Sequence, residues 1–195
     1  MHGLFNRALH WFVRDTGGAH IWRDIARAMQ VPETGFEAVL IYDDAVTEKL
    51  LALASMRLGK TRDILLEDLG TYLVSNPNLE PLRRLLRFGG ATYPEFLYSL
   101  DDLPRRARLA VPDLDVPQIE VSARGPNLFA VHCWSNFAGF SRVLGGMLRS
   151  IADDYGALVL IDFSDSDGDG AEDMLKVEVL RSAFVPGRPF RLHRG

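Results

Sequence analysis

The chain has 195 residues, 47% hydrophobic, 25% charged and 10% aromatic, with a formal net charge of -4. That describes a globular protein with chain enough for a real core, and a single cysteine, Cys133, excludes an internal disulfide framework and points to a reducing, cytoplasmic setting. Apolar runs such as Ala157 to Ile161 fall far short of the ~20 residues of a membrane span, Asn6, Arg7 and His10 interrupt any signal-peptide core, and the acidic balance does not recruit nucleic acid.

Residues 1–15 are predicted as a helix, with Leu4, Phe5, Ala8, Leu9 and Phe12 on one apolar face and His10 almost opposite, on the solvent side. Gly17-Gly18 ends it, and a second helix near 20–30 turns Ile21, Trp22, Ile25 and Met29 inward. Asp43-Asp44 caps a helix running to Leu58, stopped by Gly59. Thr61–Leu73 is a further helix closed by Pro77, followed by a short one over Leu82–Phe88 that ends at Gly89-Gly90. Another runs from Tyr93-Pro94 through Leu100, and the next begins near Asp102-Leu103-Pro104. Proline is tolerated there because first-turn amides have no helical acceptor to lose.

Beyond the Pro112–Pro117 connector the hydrophobic period falls from helical to two. Ile119–Ser122 and Leu128–Ser135 are predicted strands around a turn at Arg124–Asn127. Phe140–Tyr155 is a helix whose Gly145-Gly146 pair implies close packing, and Leu158–Phe163 and Met174–Leu180 make a hairpin. The fold class is therefore α+β: a helical part over 1–115, then β-β-α-β-β with an antiparallel sheet over 116–180, and a tail over 181–195.

Several patterns mimic functional sites. Leu58-Gly59-Lys60-Thr61 ends like a P-loop, but Ala54 stands where the first glycine belongs and a helix precedes it. Asp165, Asp167, Asp169 and Gly170 open like a calcium loop, but Lys176 occupies the place of the bidentate glutamate. Arg83, Arg84 and Arg87, and again Arg105, Arg106 and Arg108, form basic faces read as solvated helix sides, and as partner surfaces if the chain is an interaction scaffold. The histidines have no metal-ligand spacing and no nucleophile elbow accompanies them, so an enzyme is not expected.

One ordered set of segments is more specific. Met1-His2-Gly3-Leu4-Phe5-Asn6-Arg7-Ala8-Leu9, Tyr42-Asp43-Asp44 with Thr47 and Leu50, Ala54-Ser55, Leu58-Gly59 and Leu66-Glu67-Asp68-Leu69-Gly70-Thr71-Tyr72 belong to it. Pro94-Glu95-Phe96-Leu97, Leu100-Asp101-Asp102-Leu103 and Val111-Pro112-Asp113-Leu114 follow. Together they resemble the H-NOX family, the haem nitric oxide/oxygen binding (HNOB) domains, over about 180 residues. In that family the iron ligand is a histidine just after the Leu-Asp-Asx-Leu segment, a place held here by Pro104, which has no donor atom. The family's Tyr-x-Ser-x-Arg clamp on the haem propionates corresponds to Cys133, Ser135 and Phe137, so only the serine is kept and the guanidinium fork is lost.

The resemblance thus implies a regulatory module without the family's histidine-bound haem, its cleft walled by Phe5, Leu9, Pro104, Pro112, Cys133, Ser135 and Phe137. Such a cleft would take another apolar ligand, a fatty acid or an iron-free tetrapyrrole, or be filled by side chains. With no output domain on this chain, its signal would pass to a partner such as a histidine kinase or a cyclic-di-GMP enzyme. Two alternatives stand beside this: a haem-based NO/O2 sensor with Cys133 or His2 as substitute iron ligand, and a ligand-free interaction scaffold. Strand alternation points His132 away from the cleft if Cys133 faces it, and His10 and His20 are expected on the surface.

Overall fold

The computed structural model describes residues 1–79, 86, 89–111, 114–164 and 172–182. The helices are α1 (Gly3–Gly17), α2 (Ala19–Met29), α3 (Asp44–Leu58), α4 (Arg62–Ser75), α5 (Tyr93–Tyr98), α6 (Leu103–Ala110) and α7 (Phe140–Tyr155). Short 3-10 turns cover Pro77–Leu79 and Ser99–Asp102. The strands are β1 (Gln118–Gly125), β2 (Leu128–Trp134), β3 (Leu158–Ser164) and β4 (Glu172–Arg181). They form one antiparallel sheet in the order β1-β2-β4-β3. The α+β expectation and the antiparallel pairing both hold. Of the predicted helix Leu82–Phe88 only Leu86 is described, as helical and buried, and the Asp165–Gly170 loop and the chain from 183 onward lie outside the described residues.

Caps fall where the sequence places them. The Asp43 carboxylate accepts from the Ala45 amide at 2.8 Å, and Thr92 and Glu95 form a reciprocal capping box around Pro94 at the start of α5. Gly59 takes φ +65° with open space around it and Thr61 caps α4, so the P-loop echo is a helix stop followed by a helix start. The heaviest inter-helix packing joins α4 to α7. A Cβ on Gly146 would strike the Glu67 carbonyl, and one on Gly70 the Val143 carbonyl, so the glycines let the two backbones touch. The Arg149 guanidinium bonds Glu67 across the same crossing.

Three expectations need correction. Helix α1 buries Asn6, Leu9, His10, Phe12 and Val13, while Leu4 is 36% exposed. The buried face is rotated and widened because α2, α3 and α4 all pack on this helix, so one apolar stripe does not describe it. His10 is therefore not on the surface: it is 3% exposed and stacks on Trp22 with ring centroids 4.0 Å apart. Strand β1 continues past Ser122 to Gly125, because the ladder to β2 pairs Ala123 with Phe129 and Gly125 with Leu128 through a register shift. The Arg105–Arg108 face also divides, since Arg106 turns inward and donates to the Ser99 carbonyl at 2.8 Å while Arg105 reaches Asp102 in the solvent.

Candidate functional site

The predicted cleft residues come from four places in the fold. Phe5 and Leu9 lie one helical turn apart on α1, where Leu9 is fully buried and Phe5 partly so. Pro104 sits in the first turn of α6 and is buried. Cys133 is on β2, 1% exposed, and Ser135 and Phe137 follow that strand. Pro112 is outside the described residues.

Two of these side chains are brought directly together. The rings of Phe5 and Phe137 lie 4.9 Å apart at a 60° tilt, an ordinary aromatic pairing. The Arg62 guanidinium stands 5.4 Å from the Phe137 ring centre while donating to Glu48 at 2.8 Å. The Ser135 hydroxyl accepts from the Phe137 amide at 3.0 Å and so fixes the turn that carries Phe137. Leu9 and Cys133 belong to one continuous apolar core, and Phe5 and Phe137 pack against it.

Donor atoms at this place are scarce. Pro104 offers carbon only. Burial pushes the Cys133 thiol up to about 12, and the Asp173 carboxylate adds to the shift, so the thiolate is strongly disfavoured. His2 is 7% exposed and caps α1, its Nδ1 accepting from the Leu4 amide at 3.2 Å. His132 is half-buried with its ring nearly parallel to that of Trp134 at 5.8 Å, one residue out of phase with Cys133 as strand alternation requires. His20 is exposed. Among the described residues no three His, Cys, Asp or Glu side chains gather as a metal cage.

Two hollows open at the sheet and beside the end of β2. One of about 230 Å³ is lined by Arg124, Leu128, Phe129, Ala130, Met174 and Lys176. The other, about 260 Å³, lies near the end of β2, where Asp115, Trp134 and Ser135 are among its walls. Both are open to solvent, below the roughly 300–1,000 Å³ of typical small-molecule sites, and neither is lined by Phe5, Leu9, Pro104, Cys133 or Phe137.

A family model described as Haem-NO-binding matches residues 2–162. The chain belongs to the H-NOX (haem-NO-binding) family. It is similar to soluble guanylate cyclase gcy-31 of Caenorhabditis elegans, 23% identical over 170 residues that make up 87% of this chain and 24% of that protein. The chain thus spans about a quarter of the length of the curated relatives it matches. Among solved structures it resembles a mutant H-NOX of T. tengcongensis, with TM-score 0.78 and 13% identity, covering 94% of this chain and all of the other. An H-NOX protein from S. oneidensis in the Fe(II) ligation state also matches at TM-score 0.78 and 16% identity, covering 93% and 97%. At these identities the likeness establishes the H-NOX fold.

In this H-NOX chain the quoted family segments build scaffold. His2 caps α1, and the Asn6 carboxamide accepts from Thr47 Oγ1 at 2.8 Å, tying α1 to α3 inside the core. Asp101 Oδ1 accepts from the Val121 amide at 2.9 Å and ties the turn before α6 to β1; burial raises the Asp101 pKa although this hydrogen bond opposes the shift. The Phe5–Phe137 contact and the approach of Arg62 have no local sequence signal, since each joins elements far apart in the chain. No helix among the described residues is long and apolar enough to cross a membrane.

Proposed function

We propose that this chain is a non-catalytic H-NOX regulatory module that holds no haem through a protein side chain and signals through contact with a partner protein. What supports this reading is the Phe5–Phe137 pair: Phe137, which by the resemblance stands for the arginine of the family's propionate clamp, packs its ring on Phe5. The donor set agrees with it: Pro104 has no lone pair for iron, the Cys133 thiol is sealed and protonated, and the His2 Nδ1 is engaged as a cap. These residues do not fit a histidine-bound haem with clamped propionates. Leu9 and Cys133 lie in one continuous apolar core with Phe5 and Phe137 packed against it, which supports a core filled by its own side chains over one that encloses a fatty acid or tetrapyrrole. The partner is then a signalling protein, with a histidine kinase or a cyclic-di-GMP enzyme as the classes the family suggests, and a reducing compartment suits the lone buried thiol of Cys133.

Expression with haem supplied, followed at once by a visible spectrum and native mass spectrometry, tests the reading. The expected result is the mass of the polypeptide alone and no Soret absorbance. Stoichiometric haem abolished by Cys133→Ser or His2→Ala would establish the gas-sensor alternative, and a different co-purified small molecule would establish a repurposed cleft.

A further inference from the structure

The connection between α2 and α3 combines features that point to a docking edge. Its interior is firmly fixed: Phe36 is 3% exposed and meets Tyr42 edge-on at 5.2 Å, Trp22 Nε1 donates to the Glu33 carbonyl at 2.7 Å, and the Glu37 amide donates to the Tyr42 hydroxyl at 2.9 Å. Upon this rigid base three consecutive apolar residues stand in solvent, Val39 84% exposed, Leu40 50% and Ile41 65%. Exposed Leu4 is next to them, since the Gly3 amide donates to the Leu40 carbonyl at 2.8 Å.

Residues 37–40 close a turn, the Leu40 amide donating to the Glu37 carbonyl at 3.4 Å, and Ile41 just after it makes a single isolated bridge. His2 and Ile41 form an antiparallel bridge in which Gly3 donates to Leu40 and Tyr42 donates to the Met1 carbonyl at 2.9 Å. In that pattern the amide and carbonyl of Ile41 point away from residue 2, and among the described residues neither makes a hydrogen bond. An open edge with apolar side chains is the template for strand addition.

Charge decides the occupant. Residues 28–48 hold five carboxylates, Glu33, Glu37, Asp43, Asp44 and Glu48, and no Lys, Arg or His, in a chain whose whole net charge is -4. Asp44 is answered by the amino terminus and Glu48 by Arg62, but Glu33, Glu37 and Asp43 have no ion pair among the described residues. A second copy would set acid against acid. We propose that the exposed apolar turn at residues 37–40, with the free backbone groups of Ile41 beside it, is the docking surface for an extended segment of a partner protein that alternates apolar residues and carries Lys or Arg at its flanks. This rests on the reading that the chain acts through a partner and names the chemistry of that partner.

The test uses the whole chain and two synthetic heptapeptides of alternating valine and threonine, one with lysine at both ends and one with glutamate. Amide NMR shifts and fluorescence anisotropy are the readouts. The lysine peptide is expected to bind at least tenfold tighter than the glutamate peptide, with shifts confined to Gly3 and residues 37–43, and more weakly as salt rises. Ile41→Asp, at a position too exposed to disturb folding, and Glu37→Lys with Asp43→Lys should each lower its affinity tenfold or more with unchanged melting temperature. Equal binding of both peptides, shifts elsewhere, no binding, or a dimer of the chain that buries Ile41 would overturn the proposal. A haem spectrum would sink the functional reading while leaving these peptide results intact, so the two fail separately.

Discussion

The imidazole of His10 lies face to face with the indole of Trp22, 4.0 Å between centroids, with neither ring nitrogen hydrogen-bonded among the described residues. Burial first, with Arg14 and Arg7 in support and Asp15 opposing, lowers the His10 pKa from 6.5 to about 4. Between those two values the unfolded chain binds a proton that the folded chain refuses. Stability is thus fully present above pH 6.5 and falls as pH drops toward 4, by on the order of 3 kcal/mol from this group. Urea unfolding from pH 7.5 to 4 should show the decline, and His10→Phe should remove most of the slope between pH 6.5 and 5.

Gly146→Ala should destabilise the protein by about 1–3 kcal/mol or more, because its methyl group meets the Glu67 carbonyl in a fixed helix backbone. Gly59→Ala is the control: the space is open and only the left-handed φ of +65° is strained, so the loss is about 1–2 kcal/mol. Chemical denaturation of the two variants should rank them in that order.

Removing the hydroxyl that serves Asn6 should cost more than removing both partners. Thr47→Val leaves a wholly buried carboxamide without the one side-chain hydrogen bond it has among the described residues, a loss of roughly 1–3 kcal/mol. The pair Thr47→Val with Asn6→Leu should recover part of that loss. A double-mutant cycle read by thermal melting gives the coupling.

The Cys133 thiol should be almost inert in the native protein. At pH 8 its thiolate population is small, because burial holds the pKa near 12, and only 1% of the residue is accessible. Ellman's reagent should label it slowly in buffer and fully within the mixing time in denaturant. Rapid native labelling would show that β2 opens at this point.

Much of the framework was legible because its signals are local. Asp43, Thr61 and Gly59 announce helix ends through their own hydrogen bonds and dihedrals, and Gly145-Gly146 announces a close crossing by costing helix propensity without another reason to be there. The burial of His10 was not legible, since the apolar face of α1 is set by three neighbours rather than one. Nor was the Phe5–Phe137 contact, which depends on a turn fixed by the Ser135 hydroxyl beyond β2. Periodicity reports one surface of an element at a time. Contacts such as Phe5–Phe137 form where several surfaces converge, and only the resemblance of the sequence segments to a family singles out Pro104 and Phe137.

The interlocked glycines of α4 and α7 have a mechanical consequence. Two backbones in direct contact have no compliant side chains between them to absorb sliding, so the helices form a keel shared by both halves of the molecule. A load on either helix therefore passes backbone to backbone into the other, while the loop before α3 is strapped to the opening helix by Gly3 and Tyr42 and shares whatever that helix feels.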